Sequence, residues 1–204
     1  MNRTFEESAR ELVEAGRVLY EQGMVPATSG NFSARIAEGR IAITVSGRHK
    51  GQLNVSDIMQ IDHNGRSGDG RRPSAETELH LQIYRRFPDA GVILHHHSLY
   101  ATLISQLVAD EVLLAEYELL KAFSEIETHE TRLRLPVFEN NQDISMLAGQ
   151  VESYMDANSP VYGYLIRGHG LYTWAESVAK ALIYVEAFEF LFKCELMKRG
   201  VTPL

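Results

Sequence analysis

Apolar positions in the first segment, Phe5, Ala9, Leu12, Val13, Gly16, Leu19 and Tyr20, recur at three-to-four spacing and predict an amphipathic helix over 4–22, stopped at Gly23. Small polar residues at 28–35 lead into the β-branched run 40–45, a pattern that suits a hairpin or two short strands. A capped turn at Val55-Ser56-Asp57 precedes a strand at 59–61, and the turn formers of 63–70 make the most flexible internal loop. Pro73-Ser74-Ala75-Glu76 reads as a helix start, with Leu79, Leu81 and Tyr84 carrying the helix toward Pro88. The run 90–94 has strand character and ends in His95-His96-His97. Helical spacing is expected at 99–107, 113–123 and 143–154, strands at 134–141 and 161–166, and the longest helix at 175–198. Strands alternating with helices predict a layered α/β domain, and the hairpin-like spacing between 31 and 61 predicts a mixed, largely antiparallel sheet. No Gly-x-Gly-x-x-Gly follows a strand, so a dinucleotide site is unsupported.

Length and charge narrow the picture. The 204 residues suit one domain over 1–204. The N-terminus is polar and acidic, and no apolar run approaches the ~20 residues of a membrane span, so a cytoplasmic protein is expected. A net charge of −7 argues against nucleic-acid or anionic-membrane partners, which need basic surface. Any phosphate must therefore be met locally. The dense basic cluster near glycine, Ser46-Gly47-Arg48-His49-Lys50-Gly51, is a candidate for that, although the same residues also suit a solvated turn. The single cysteine, Cys194, excludes an internal disulfide and reads as a structural helix position.

The candidate chemistry lies at the histidines. A period of two sends His95 and His97 to one side of a strand and His96 to the other, so the first two can chelate one metal. Gly168-His169-Gly170 offers a third imidazole on a bendable backbone, and Glu76 offers a carboxylate upstream. Three histidines with open positions describe a catalytic metal site better than a structural one, which four protein ligands normally close. A solvated cluster or satisfied interior histidines would produce the same letters.

Taken in order, Ser29-Gly30-Asn31-Phe32-Ser33, Thr44-Val45-Ser46-Gly47, Pro73-Ser74-Ala75-Glu76, His95-His96-His97 and Gly168-His169-Gly170-Leu171 resemble the class II aldolase and adducin family across nearly the whole chain. The resemblance implies a three-layer α/β/α fold, a homotetramer with active sites near subunit contacts, and one zinc ion per subunit on His95, His97 and His169. It also implies a sugar-phosphate substrate whose phosphate is held by Gly30, Asn31, Ser46, Gly47 and Ser74. A second serine common in the family is Ala75 here, and Lys50 is the candidate to supply the missing contact. Within the family, Ser46–Gly51, Glu118-Leu119-Leu120-Lys121, 139–144 and 186–192 look most like the branch that dehydrates 5-methylthioribulose 1-phosphate in methionine salvage.

On that likeness, a zinc ion polarises the substrate ketone while a carboxyl group takes the carbon 3 proton and then protonates the departing carbon 4 hydroxyl. Aldolases of the family carry tyrosine where Glu118 aligns, which makes Glu118 the first candidate acid/base and Glu76 the second. Retro-aldol cleavage or epimerisation of another phosphorylated ketose is the alternative chemistry. A non-catalytic interaction domain like the adducin head is the alternative of another class.

Overall fold

The computed structural model describes residues 3–158 and 160–201; Met1, Asn2, Ser159 and 202–204 lie outside the described residues. Eight strands form one sheet in the order β3-β2-β1-β4-β8-β7-β6-β5, with β1 at Asn31–Arg35, β2 at Ile41–Thr44, β3 at Ile58–Ile61, β4 at Val92–His96, β5 at Glu111–Ala115, β6 at Arg132–Phe138, β7 at Gly163–Ile166 and β8 at Gly170–Ala175. Every pairing is antiparallel except β6 with β7, as the hairpin-like spacing led one to expect.

Alternation along the strands splits the core in two. Phe32, Ala34, Val92, Leu94 and Leu171 face α1 (Phe5–Glu21), α3 (Leu99–Leu107) and α5 (Val178–Lys198). Ile41, Ile43, Ile93, Tyr172 and Trp174 face α2 (Thr77–Arg86) and α4 (Ile144–Ala157). Neither helix layer could bury its apolar stripe without the sheet between them, which makes the domain an α/β/α sandwich. No helix among the described residues is long and apolar enough to cross a membrane.

Helix starts follow local hydrogen bonding. Thr4 and Glu7 form a reciprocal capping box at α1, and the Ser98, Asp143 and Ser177 side chains accept from the first turns of α3, α4 and α5. The turn at Val55–Asp57 is a capped 3₁₀ helix begun by Asn54. Cys194 is half-buried on α5.

Two expectations are corrected. The segment 113–123 is not a helix: Glu111–Ala115 is edge strand β5, and Glu118–Ala122 is a 3₁₀ turn. Val112 and Leu114 are buried while Leu113 between them is exposed, a period of two that the continuous Val-Leu-Leu-Ala letters hide. The helix expected from 175 starts at Val178, and β8 precedes it, a strand whose Leu171 and Tyr172 alternate to opposite faces of the sheet.

Candidate active site

One end of the central strands gathers the site. In the antiparallel register Asn31 stands opposite His95, and His95 opposite Tyr172, so the start of β1, the end of β4 and the start of β8 coincide. Thr44 closes β2 at the same end, and the bridge from Val45 to Pro73 draws the start of α2 alongside. The peptide must pack closely there. A Cβ at Gly30 would stand 2.6 Å from the His95 carbonyl oxygen, and Gly30 has φ 76°, so only glycine serves.

His169 sits in the three-residue connection between β7 and β8, where Gly168 takes φ 61° and the His169 amide bonds the Ile166 carbonyl at 3.0 Å. Helix α3 holds this turn from the side. Ser105 Oγ accepts from the Gly168 amide at 2.9 Å, and Thr102 Oγ1 donates to the His169 carbonyl at 3.2 Å. Arg167 binds the Ser105 and Val108 carbonyls at 2.6 and 2.8 Å, capping the end of α3.

The three imidazoles meet through their Nε2 atoms: 2.9 Å between His95 and His97, 3.0 Å between His97 and His169, and 3.3 Å between His95 and His169. His96 points the opposite way, into the α5 layer, with its Nε2 3.8 Å from the Glu189 carboxylate. His95 Nδ1 donates to the Leu171 carbonyl at 2.9 Å, which puts the ring hydrogen on Nδ1 and leaves Nε2 as a lone pair. Burial, and then the neighbouring imidazoles, push the His95 ring well below its ordinary pKa, and burial brings His97 down to about 3. The His95 lone pair is thus aimed at the Nε2 atoms of His97 and His169, the convergence that a cation between the rings would use.

The donor set fits such an ion. Ligand nitrogens ~2.0–2.1 Å from a tetrahedral zinc stand about 3.3 Å apart, close to the spacing found. The trio is the group of candidate metal ligands among the described residues. Glu76 straddles it, with Oε2 3.3 Å from His95 Nε2 and Oε1 3.4 Å from His169 Nε2.

A cavity of about 410 Å³ opens over this cluster. Gly30, Asn31, Ser46, Gly47, Lys50, Ser74, Glu76, His97 and His169 all line it, so a single concavity brings together nearly every residue expected to bind phosphate, metal or proton. His95 lies fully buried behind. Lys50 is 2% exposed; its ammonium donates to the Thr28 and Arg48 carbonyls at 3.0 and 2.6 Å, and burial lowers its pKa to about 8. A lysine has three N–H donors, so one remains for a ligand. The positive end of α2 meets the same wall at Ser74–Glu76.

Glu118 is elsewhere. Its side chain is 74% exposed, ion-paired with Lys121 at 2.6 Å, and this contact holds its carboxyl below the usual range. It borders an apolar groove with Leu119, Ile183 and Phe190, not the histidine cavity. The sequence marks 139–144 as a family motif without giving it a place in the site, and it leaves out Leu147 and Tyr172. Asn140, Asn141, Gln142, Ile144 and Leu147 close the cavity, and Tyr172 stacks on His95 at 4.0 Å between ring centroids while donating to Glu76 Oε2 at 2.9 Å. Alternation from Gly170 along β8 was the available signal for Tyr172.

Residues 10–196 match the Class II Aldolase and Adducin N-terminal domain family. The chain belongs to this family. A relative from Methylococcus capsulatus named methylthioribulose-1-phosphate dehydratase is 58% identical over 197 residues, 97% of each chain. One of the same name from Pseudomonas paraeruginosa is 52% identical over 198 residues, covering 96% of this chain and 97% of its own. Among solved structures, an L-fuculose 1-phosphate aldolase superposes with a TM-score of 0.78 at 27% identity, over 97% of this chain and 89% of that one. This class II aldolase family is metal-dependent, in keeping with the histidine trio.

Proposed function

We propose that this chain is a hydro-lyase that dehydrates 5-methylthioribulose 1-phosphate to 2,3-diketo-5-methylthiopentyl 1-phosphate, a step of methionine salvage. The observation that carries the proposal is the joint placement of the imidazole trio, Glu76 and the glycine- and serine-lined phosphate wall in one cavity. It is supported by relatives of that name at 58% and 52% identity over almost the whole chain. Zinc, one ion per subunit on His95, His97 and His169, is the metal whose coordination suits three imidazoles with room for substrate oxygen. Once bound, it supplies Lewis-acid stabilisation of the negative charge that develops on the ketone oxygen.

The chain's own groups do the rest. Backbone amides of Gly30 and Gly47, the side chains of Asn31, Ser46 and Ser74 and the remaining Lys50 N–H hold the phosphate at the cavity wall. This leaves an acidic protein able to bind an anion without a basic surface. A carboxylate then takes the carbon 3 proton and returns it to the carbon 4 hydroxyl, which leaves as water, and the enol product ketonises.

Glu118 is the proposed acid/base, acting in the cavity of a neighbouring subunit within a homotetramer. Two features support this. It is remote from its own histidines, and it stands on a groove edged by half-exposed Leu119, Ile183 and Phe190, the kind of apolar face that a second copy covers. Glu76 remains the secondary proton carrier, beside the metal.

Incubation of metal-loaded protein with 5-methylthioribulose 1-phosphate should yield a product about 18 Da lighter, the mass of the expelled water. An aldehyde and a three-carbon phosphate would instead assign retro-aldol cleavage. Glu118→Gln should abolish turnover with metal content unchanged. Mixed tetramers of Glu118→Gln and His169→Ala subunits should regain about a quarter of wild-type activity, since random assembly restores that share of two-subunit sites. No recovery would place Glu118 out of the neighbour's site.

A further inference from the structure

Beneath the cavity, a file of polar side chains crosses the otherwise apolar layer between the sheet and α2. His80 of α2 is fully buried, yet each ring nitrogen has a partner: Nε2 meets Asn31 Oδ1, and Nδ1 meets Ser33 Oγ at 2.7 Å. Ser33 Oγ in turn meets the Tyr84 hydroxyl at 2.9 Å. At the other end, Asn31 Nδ2 donates to Glu76 Oε2 at 2.7 Å, the same oxygen that accepts from Tyr172. The line therefore runs Tyr84, Ser33, His80, Asn31, Glu76.

The hydrogens along it have one consistent assignment. An amide oxygen only accepts, so His80 Nε2 must carry the ring hydrogen. Burial keeps this imidazole neutral, with its pKa brought down to about 3, so Nδ1 is a bare acceptor. The Ser33 hydroxyl must then donate to Nδ1, and its oxygen is left to accept from Tyr84. Were the Asn31 amide to flip, its NH₂ would oppose the His80 N–H and its oxygen would oppose the Glu76 carboxylate. Both contacts would become repulsive in a buried setting.

We propose that His80 is a positioning residue: by donating from Nε2 to Asn31 Oδ1 it locks the Asn31 amide with its NH₂ toward Glu76, and so aims that carboxylate at the histidine cluster. Where activity is concerned, this rests on the dehydratase reaction above. The geometry of the lock does not.

The test uses metal-loaded His80→Leu and His80→Gln, with kinetics and ring-nitrogen NMR. His80→Leu should lose about 100-fold in kcat, the scale expected when a reacting group is misplaced by about an ångström, with KM and metal content near wild type. Glutamine can offer an N–H to the same oxygen, so His80→Gln should recover most of that loss. Equal losses in the two variants, or none in His80→Leu, would overturn the proposal. In the wild-type enzyme the His80 ring should show the Nε2–H tautomer, without titration, from about pH 5 to 9. A ring that titrates there, or carries its hydrogen on Nδ1, would overturn the lock even if the protein proved to act on another substrate. If His80→Leu fails to fold, Ser33→Ala decides: loss of the Nδ1 partner should change the ring-nitrogen shifts, and unchanged shifts would refute the network.

Discussion

Replacing Lys50 with methionine tests how an acidic protein holds a phosphate ester. The side chain is almost entirely enclosed, and burial lowers its pKa from 10.5 to about 8. That lowering corresponds to about 3 kcal/mol of unfavourable desolvation at neutral pH. Methionine removes this penalty, but it deprives the Thr28 and Arg48 carbonyls of a donor, at a cost of about 1–3 kcal/mol each if they stay dry. The two effects offset one another, so thermal stability should move by only a few degrees.

Binding should respond far more. A hydrogen bond from a charged donor contributes about 1.5–3 kcal/mol, so KM for the phosphorylated substrate should rise roughly 10- to 150-fold while kcat changes little. The pH dependence has a definite sign. The folded-state pKa lies below the unfolded one, so the penalty on folding is present below about 8 and is relieved as pH climbs toward 10.5. The ammonium is lost to substrate over that same interval. Initial rates measured from about pH 7 to 9.5, where a phosphate ester with second pKa ≈ 6 is already a dianion, should show wild-type KM increasing above about pH 8 and a flat profile in Lys50→Met. A wild-type KM independent of pH, matched by the variant, would refute the phosphate role of Lys50.

Other measurements probe the frame around the site. Removal of the metal by chelation should abolish turnover, and returning zinc at about 100 times its Kd should raise stability by about 2.7 kcal/mol, several degrees of melting temperature for a domain of this size. Glu189→Gln should stabilise the protein above pH 7. Burial raises the Glu189 pKa from 4.5 to about 7, so the wild type loses stability as pH rises across that window, by about 3 kcal/mol at most, whereas an amide keeps the acceptor for the Ser98 hydroxyl without the charge. Denaturant midpoints that fall equally in both proteins from pH 5 to 8 would contradict this. Gly170→Ala should cost more than about 3 kcal/mol and weaken metal binding, because the added Cβ collides with the His96 carbonyl between β4 and β8. Normal metal affinity in a folded Gly170→Ala protein would show that the turn carrying His169 can shift freely.

Periodicity alone determined a good part of this protein. The two-residue repeat through His95, His96 and His97 put the outer pair on one face and His96 on the other, since a strand has no choice about the direction of successive side chains. The amphipathic stripe of α1 and the mixed, largely antiparallel character of the sheet were legible for the same local reason. Local pattern failed at 111–122, where a strand and a 3₁₀ turn share letters that also suit a helix, and at β8, whose Tyr172 completes the contacts of Glu76.

The strand order was decided by tertiary structure. Placing β4 between β1 and β8 is a non-local pairing, selected by packing two helix layers on one sheet, and it brings His169 to histidines more than seventy positions earlier. The hydrogen-bonded line through His80 has the same origin, because its members are scattered from Asn31 to Tyr84 and acquire their donors and acceptors only when buried side by side. Glu118 shows the complementary case: the letters mark it as a carboxylate in a family position, whereas the fold turns it outward, away from the metal ligands of its own chain.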